Sequence, residues 1–191
     1  MIKNSKQKAA DNMKKFLVAV DMQKDFIDGA LGTAEALAIV DNAVKKIESF
    51  DGAVFATLDT HFENYLQTSE GKKLPVPHCV KGTDGWELDA RIKTALEKRG
   101  YTAVEKYTFG SERLPELIGN AAAGESFSVE LIGLCTDICV VSNALLLKAF
   151  FPEAEISVDP DCCAGVTPEL HDCALKTMAS CQIDILRSEE T

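Results

Sequence analysis

Several residues whose side chains can do acid, base, nucleophilic or metal chemistry stand directly after short apolar runs. Asp21 follows Phe16-Leu17-Val18-Ala19-Val20. A carboxylate at the end of a buried strand is partly desolvated, which raises its pKa and suits it to carry a proton. The plain alternative is a cap or turn residue. Asp59 and His61 follow the run Ala53 to Leu58. Residues i and i+2 of extended chain point to one side, so both can meet one cation. His78 lies further along the same irregular stretch, with Glu70 between the histidines. An Asp and two His leave coordination positions open, the pattern of a catalytic rather than a structural metal site. The competing reading is a capping Asp with two solvated histidines. Lys106 ends the run Thr102 to Glu105, and most lysines in such positions are simply solvated. Its place at a strand end, beside the same crevice as Asp21, is what marks it.

Cys139 is the most informative position. The segment Leu131-Ile132-Gly133-Leu134-Cys135-Thr136-Asp137-Ile138-Cys139-Val140 runs from a strand through a sharp turn into a helix. With Thr136 or Asp137 as N-cap, Cys139 falls in the first helical turn. There the helix dipole and unpaired N–H groups favour thiolate, below the usual ~8.5, and can stabilise an oxyanion. Cys135 and Cys139 as a redox or metal pair is the rival reading, but Cys-x-x-x-Cys without a second pair makes a poor zinc site.

The elements that must position these residues alternate along the chain. Strands are expected at residues 16–20, 53–58, 102–105, 127–134, 155–158 and 183–186. Between them lie helical patterns at 33–50, 88–99, 114–118, 137–150 and 167–180, the last opened by Thr167-Pro168 as N-cap and first turn. Residues 59–86 carry no periodic pattern and contain Gly71, Pro75, Pro77, Gly82 and Gly85. Near-continuous apolar strands separated by helices predict an α/β fold: a single doubly wound, mostly parallel sheet with helices on both faces, a Rossmann-like three-layer sandwich. In such sheets chemistry collects beyond the carboxyl ends of the strands.

The chain has 191 residues, 46% of them apolar, enough for one domain with a real core. Residues 1–14 read as an N-terminal extension and 15–191 as the domain. A formal charge of −10 argues against nucleic acid and anionic membrane surfaces, whose partners cluster Lys and Arg. No apolar run approaches the ~20 residues of a membrane span, and the lysine-containing N-terminus is not followed by an apolar stretch. A cytoplasmic location is expected. In a reducing compartment the seven cysteines are expected to be thiols, most of them packed as small hydrophobes.

Together these pieces resemble the isochorismatase-like cysteine hydrolases, within them the nicotinamidase/pyrazinamidase branch. The resemblance runs from Phe16 to about Leu186. It rests on Val20-Asp21-Met22-Gln23-Lys24-Asp25-Phe26, on Asp59-Thr60-His61, on Lys106, and on residues 133–140 around Cys139. It implies that Asp21, Lys106 and Cys139 form a catalytic triad. It also implies a non-proline cis peptide at Leu134–Cys135 that aims the N–H groups of Cys135 and Cys139 at an oxyanion. Asp59, His61 and His78 match the family's metal ligands, and Glu70 sits near a fourth ligand found in some nicotinamidases. The implied cofactor is one divalent metal ion, for which Zn, Fe and Mn are equally suited. Phe26 matches an aromatic that stacks on the substrate ring, and Phe109 is a further candidate for that pocket. The implied partner is a small-molecule amide, most readily nicotinamide hydrolysed through a thioester. Another amidase or ureidohydrolase of the superfamily is the nearest rival, and a non-catalytic metal- or redox-responsive binding protein a remote one. Self-association into a homo-oligomer is compatible with an acidic α/β hydrolase of this size. Two departures stand out: Tyr65 and Gln67 replace a second loop histidine, and Pro75 replaces a tryptophan common before the last metal histidine.

Overall fold

The apolar runs become strands because each is buried on both faces by helices. In the computed structural model, which describes residues 13–186, they are β1 (Lys14–Val20), β2 (Ala53–Asp59), β3 (Thr102–Lys106), β4 (Phe127–Leu134), β5 (Glu155–Ala164) and β6 (Asp184–Ile185). Among the described residues these form one sheet in the order β3-β2-β1-β4-β5-β6, every neighbouring pair parallel. The expected fold class is therefore the observed one. Of the N-terminal extension, residues 1–12 lie outside the described residues, and Lys14 already belongs to β1.

The helices are α1 (Lys24–Ile27), α2 (Ala34–Ala38), α3 (Val40–Ser49), α4 (Ser69–Lys73), α5 (Ala90–Arg99), α6 (Leu114–Ala122), α7 (Val141–Phe150) and α8 (Pro168–Ser180). Strand residues alternate between two cores. Leu17, Ala19, Val54, Ala56 and Ile132 pack with Ala36, Val40, Ala43, Ile47, Ile92 and Leu96, placing α2, α3 and α5 on one face. Phe16, Val18, Val20, Val104 and Leu131 pack with Leu114, Ile118, Ala144, Leu147 and Met178, placing α6, α7 and α8 on the other.

From β1 at the sheet centre the chain runs outward through β2 and β3, then returns to lay β4 on the other side of β1. This reversal opens a crevice between the carboxyl ends of β1 and β4. Register aligns those ends: Val20 pairs with Thr57 and with Gly133, and Asp59 pairs with Lys106. Gly133 is required at this seam. Its φ is +116°, and a Cβ there would stand 2.2 Å from the Val20 carbonyl oxygen.

Four elements differ from the sequence reading. The helix expected over residues 33–50 is two, separated at Ile39. The buried stripe is Ala36, Val40, Ala43 and Ile47, so small alanines share the packing with larger residues. β5 continues past Val158 to Ala164, through Pro160. The register against β4 slips between Leu131 and Gly133, and that irregularity tolerates the proline. Within the irregular stretch lie α4 and 3₁₀ turns at Tyr65–Gln67 and Asp84–Trp86. Finally, a π-helical turn, Thr136–Val140, precedes α7.

Asp89 caps α5, accepting from the N–H groups of Arg91 at 2.9 Å and Ile92 at 3.4 Å, while the Arg91 side chain closes on the same carboxylate. Burial pushes the carboxyl upward, but Arg91 and these N–H groups outweigh it and hold the pKa below its ordinary value. Asp89→Ala is expected to cost about 0.5–2 kcal/mol in a urea titration. The difference from wild type should be complete above the ordinary carboxyl range near about 3.9 and should close as pH falls through the depressed value.

Candidate active site

Lys106 is the hub of the crevice. Its side chain is fully buried, with Nζ 2.8 Å from Asp21 Oδ2 and 2.9 Å from Asp59 Oδ1. Nζ donates hydrogen bonds to Asp59 Oδ1, to the Thr108 carbonyl at 3.2 Å and to Cys139 Sγ at 3.4 Å. The Asp21 contact is the shortest of the four, so the ammonium shares its three N–H bonds among four acceptors with Asp21 Oδ2 the nearest. Asp21 Oδ1 is held by the Thr57 hydroxyl at 2.7 Å. Its backbone lies at φ +48°, a conformation that Asp tolerates better than most residues and that turns the side chain back over the sheet end.

The titrations follow from this packing. Burial pushes Asp21 up, opposed mainly by the Lys106 charge. Lys106 is raised despite its burial, by Asp21, Cys139 and Asp59. Burial, and then the Asp21 charge, push the Cys139 thiol well up, with Lys106 pulling against them. Desolvation is the largest influence on this thiol and acts against the depression expected of a helix terminus. The capping expectation is corrected. Cys135 occupies the N-cap position with no side-chain cap, and its carbonyl accepts from Ile138 and Val140. Asp137 instead receives the Val166 N–H at 2.9 Å, and Thr136 pairs with His171 Nδ1 at 2.8 Å. The Leu134–Cys135 peptide is cis. Cys135 lies half-buried beside Cys139 on the cavity wall.

Next to this cluster, ligand atoms of Asp59, His61 and His78 all lie within 4.8 Å of one another, and all three residues are buried. His61 Nε2 stands 2.9 Å from Asp59 Oδ2, yet has no hydrogen-bond partner in the structure. His78 Nδ1 contacts the Val76 carbonyl at 2.9 Å, which assigns its proton to Nδ1 and leaves Nε2 as a lone pair facing Asp59 at 3.7 Å. Converging lone pairs on two imidazoles and a carboxylate are a donor set that fits a divalent cation. Glu70 Oε1 lies 3.6 Å from Nε2 of both histidines, so the fourth candidate is at the same place. Asp59 belongs to both clusters, one oxygen toward each.

The loops bring these residues together through contacts that residue type alone did not reveal. Gln23 is fully buried, accepting from the Asp59 N–H at 2.7 Å and donating to the carbonyls of Asp59 and Trp86 at 2.9 and 2.8 Å. Asp25 accepts from Cys79 N–H at 2.7 Å and anchors the turn after His78. His61 and Val80 form a parallel bridge that joins the two histidine segments. Tyr65, where relatives were expected to carry histidine, is buried with its ring edge-on to His61 at 4.7 Å and His78 at 5.1 Å. Its hydroxyl donates to the Leu74 carbonyl. Asn143 joins Cys139 to the loop after β3, donating to the carbonyls of Cys139 and Phe109 and accepting from Ser111 N–H. Gln23 and Asn143 were readable only as polar residues within otherwise apolar or helical segments.

The crevice opens into a cavity of about 700 Å³ lined by Phe26, Asp59, His61, His78, Cys135, Cys139 and Phe109, among others. Phe26 is buried, with its ring 5.4 Å from that of His78, whereas Phe109 is half exposed at the outer wall. All seven cysteines are free. Cys79, Cys162 and Cys163 are buried as expected, but Cys173 and Cys181 are exposed on and after α8 rather than packed.

A family model for the isochorismatase domain matches residues 15–190. This chain belongs to the isochorismatase family. Among solved isochorismatase-fold structures it is similar to the nicotinamidase/pyrazinamidase PncA from Bacillus subtilis, at 28% identity and a TM-score of 0.78, over 92% of this chain and 100% of that one. It is also similar to the N-carbamoylsarcosine amidase from Thermoplasma acidophilum, at 30% identity and 0.71, over 94% and 99%. The pyrazinamidase of Pyrococcus horikoshii, solved in complex with zinc, matches at 25% identity and 0.74, over 92% and 99%. No helix among the described residues is long and apolar enough to cross a membrane.

Within this isochorismatase-family site, Gln23 is the strongest single test of how the Asp59 segment is held. Gln23→Leu keeps the volume but leaves the buried Asp59 amide without its partner, and a loss of about 1–3 kcal/mol is expected for each buried group so orphaned. Chemical denaturation checks this, and a variant as stable as wild type would show that water or a neighbour takes over.

Proposed function

We propose that this isochorismatase-family hydrolase of amide C–N bonds releases ammonia from a small aromatic carboxamide, nicotinamide being the first substrate to test, with Cys139 as nucleophile. The observation that carries the reading is a buried carboxylate and a buried thiol gathered on one ammonium: Lys106 Nζ stands 2.8 Å from Asp21 Oδ2 and 3.4 Å from Cys139 Sγ. Asp21 takes the proton of Cys139 as sulfur attacks the carbonyl carbon, forming the S–C bond. The negative charge on the carbonyl oxygen is met by the N–H groups of Cys135 and Cys139, a contribution of about 2.7–4 kcal/mol per donor in comparable sites. Asp21 then returns the proton to nitrogen as the C–N bond breaks, ammonia leaves, and a thioester remains. Water, deprotonated by Asp21, hydrolyses the thioester and restores the thiol. Burial raises Asp21 toward the range where it can both accept and return a proton, and Lys106 holds the cluster's charge in balance throughout. Asp59, His61, His78 and Glu70 would hold one divalent cation, which when bound supplies a Lewis acid that orients a substrate ring nitrogen. Phe26 stacks on that ring, with Phe109 further out.

A second reading has its own support. The N-carbamoylsarcosine amidase is the most identical of the structures compared above, so a non-aromatic carbamoyl compound is the alternative substrate class. Parallel assays of ammonia release from nicotinamide, pyrazinamide, N-carbamoylsarcosine and a simple aliphatic amide decide between them.

Cys139→Ala is expected to lower turnover by on the order of 10³-fold or more while the fold and metal content stay unchanged. Persistent turnover by that variant would sink the nucleophile assignment. Dialysis against a chelator is expected to raise KM for nicotinamide strongly, with recovery on adding back Zn, Mn or Fe. An unchanged KM in metal-free protein would remove the cation from substrate binding.

A further inference from the structure

The cavity holds more than the proposed chemistry uses. Pockets of about 300–1,000 Å³ accommodate drug-sized ligands, and about 700 Å³ is several times the bulk of one pyridine ring with its carboxamide. The inner end, at Cys139, Phe26 and the histidines, suffices for that ring. The outer end is built differently. Leu74 after α4, Tyr107 and Phe109 after β3, and Val166 after β5 all line it, and they are 38, 57, 46 and 45% exposed. Single exposed hydrophobics need no explanation, but four large ones from three separate loops facing one cavity do.

This outer wall is fixed in place. Phe62 stacks on Tyr107 with ring centroids 6.0 Å apart and planes 21° from parallel. The Asn143 amide donates to the carbonyls of both Phe109 and Cys139, so the Phe109 wall is registered to the proposed reacting sulfur. Of the charged residues that line the cavity, Asp59 and Glu70 face the histidines at the inner end, so the outer wall itself is built from apolar side chains.

We propose that this outer chamber binds an uncharged apolar substituent on the substrate ring, so that the substrate class is ring-extended aromatic carboxamides, bicyclic or alkyl-substituted, rather than nicotinamide alone. The proposal rests on the function above only for the identity of the reacting carboxamide. Binding and turnover therefore separate the two claims. Calorimetric titration of the full-length Cys139→Ala protein with nicotinamide, with 5- and 6-alkyl nicotinamides from methyl to butyl, and with quinoline-3-carboxamide measures binding without reaction. Affinity is expected to rise by about fourfold for each methylene buried, at one of the two ring positions. Adding Val166→Asp or Leu74→Asp, each at an exposed site, is expected to remove that gain, read as the ratio of alkyl-nicotinamide to nicotinamide affinity. Flat or falling affinity along both alkyl series overturns the proposal, as does a gain that survives both aspartate variants. Flat series combined with a dimer in sedimentation would assign the exposed wall to a second copy of the chain, and would overturn it equally. In the wild-type protein, chain-length-dependent binding without ammonia release from any amide keeps the chamber and rejects the proposed function. Ammonia release from nicotinamide with no binding gain does the reverse.

Discussion

A fully buried ammonium organises this molecule. Removing a cation from water costs several kcal/mol unless opposite charge and hydrogen-bond acceptors surround it. Lys106 obtains both from Asp21, Asp59, the Thr108 carbonyl and the Cys139 sulfur. Those partners come from the ends of β1, β2 and β3 and from the turn after β4. Once Lys106 is buried, the relative heights of these strand ends are no longer free, since a one-residue slip would turn the wrong side chain toward the ammonium. The pairing of Asp59 with Lys106 across β2 and β3 is that constraint expressed in the backbone.

Asp59 spreads the constraint further. One of its oxygens faces Lys106 and the other faces the two histidines, so the cation-pairing cluster and the metal-type donor set share a single carboxylate. Gln23 fixes the backbone of that residue from both sides, and through Trp86 ties it to the loop that precedes α5. The site is consequently one rigid assembly built on the carboxyl ends of central strands, and its mobile-looking loop is pinned by Asp25, Tyr65 and the His61–Val80 bridge. Within it burial and two carboxylates push the Cys139 thiol upward, and Lys106 pulls against them.

Much of this was legible in residue order. The strands near 16–20, 53–58, 102–105 and 127–134 stood out because apolar residues on both faces leave no polar alternation, and Asp21, Asp59 and Lys106 stood out because each interrupts such a run. The break at Ile39 was hidden because alanines, which pack as well as larger residues against a close strand, do not stand out from a helical pattern. The extension of β5 was hidden by Pro160, tolerable only because β5 itself bulges away from β4 there. The pull of burial on the Cys139 thiol was hidden because a helix terminus is a local feature, whereas desolvation depends on what covers the turn. Asn143 gave no signal and Gln23 stood in the Val20–Phe26 motif without an assigned role, since the part a buried amide plays is set by the backbone groups that reach it.

By itself the sequence determined which chemical groups stand at which strand ends, and hence the α/β class and the kinds of reaction within reach. Tertiary structure decided which of those groups meet. The β1–β4 switch point places Asp21 and Cys139 on the two sides of one crevice. Parallel register sets Lys106 against Asp59, and the packed loop turns two histidines toward the same oxygen. These are long-range contacts whose energies come from burial and charge pairing, and neither can be read from neighbours along the chain.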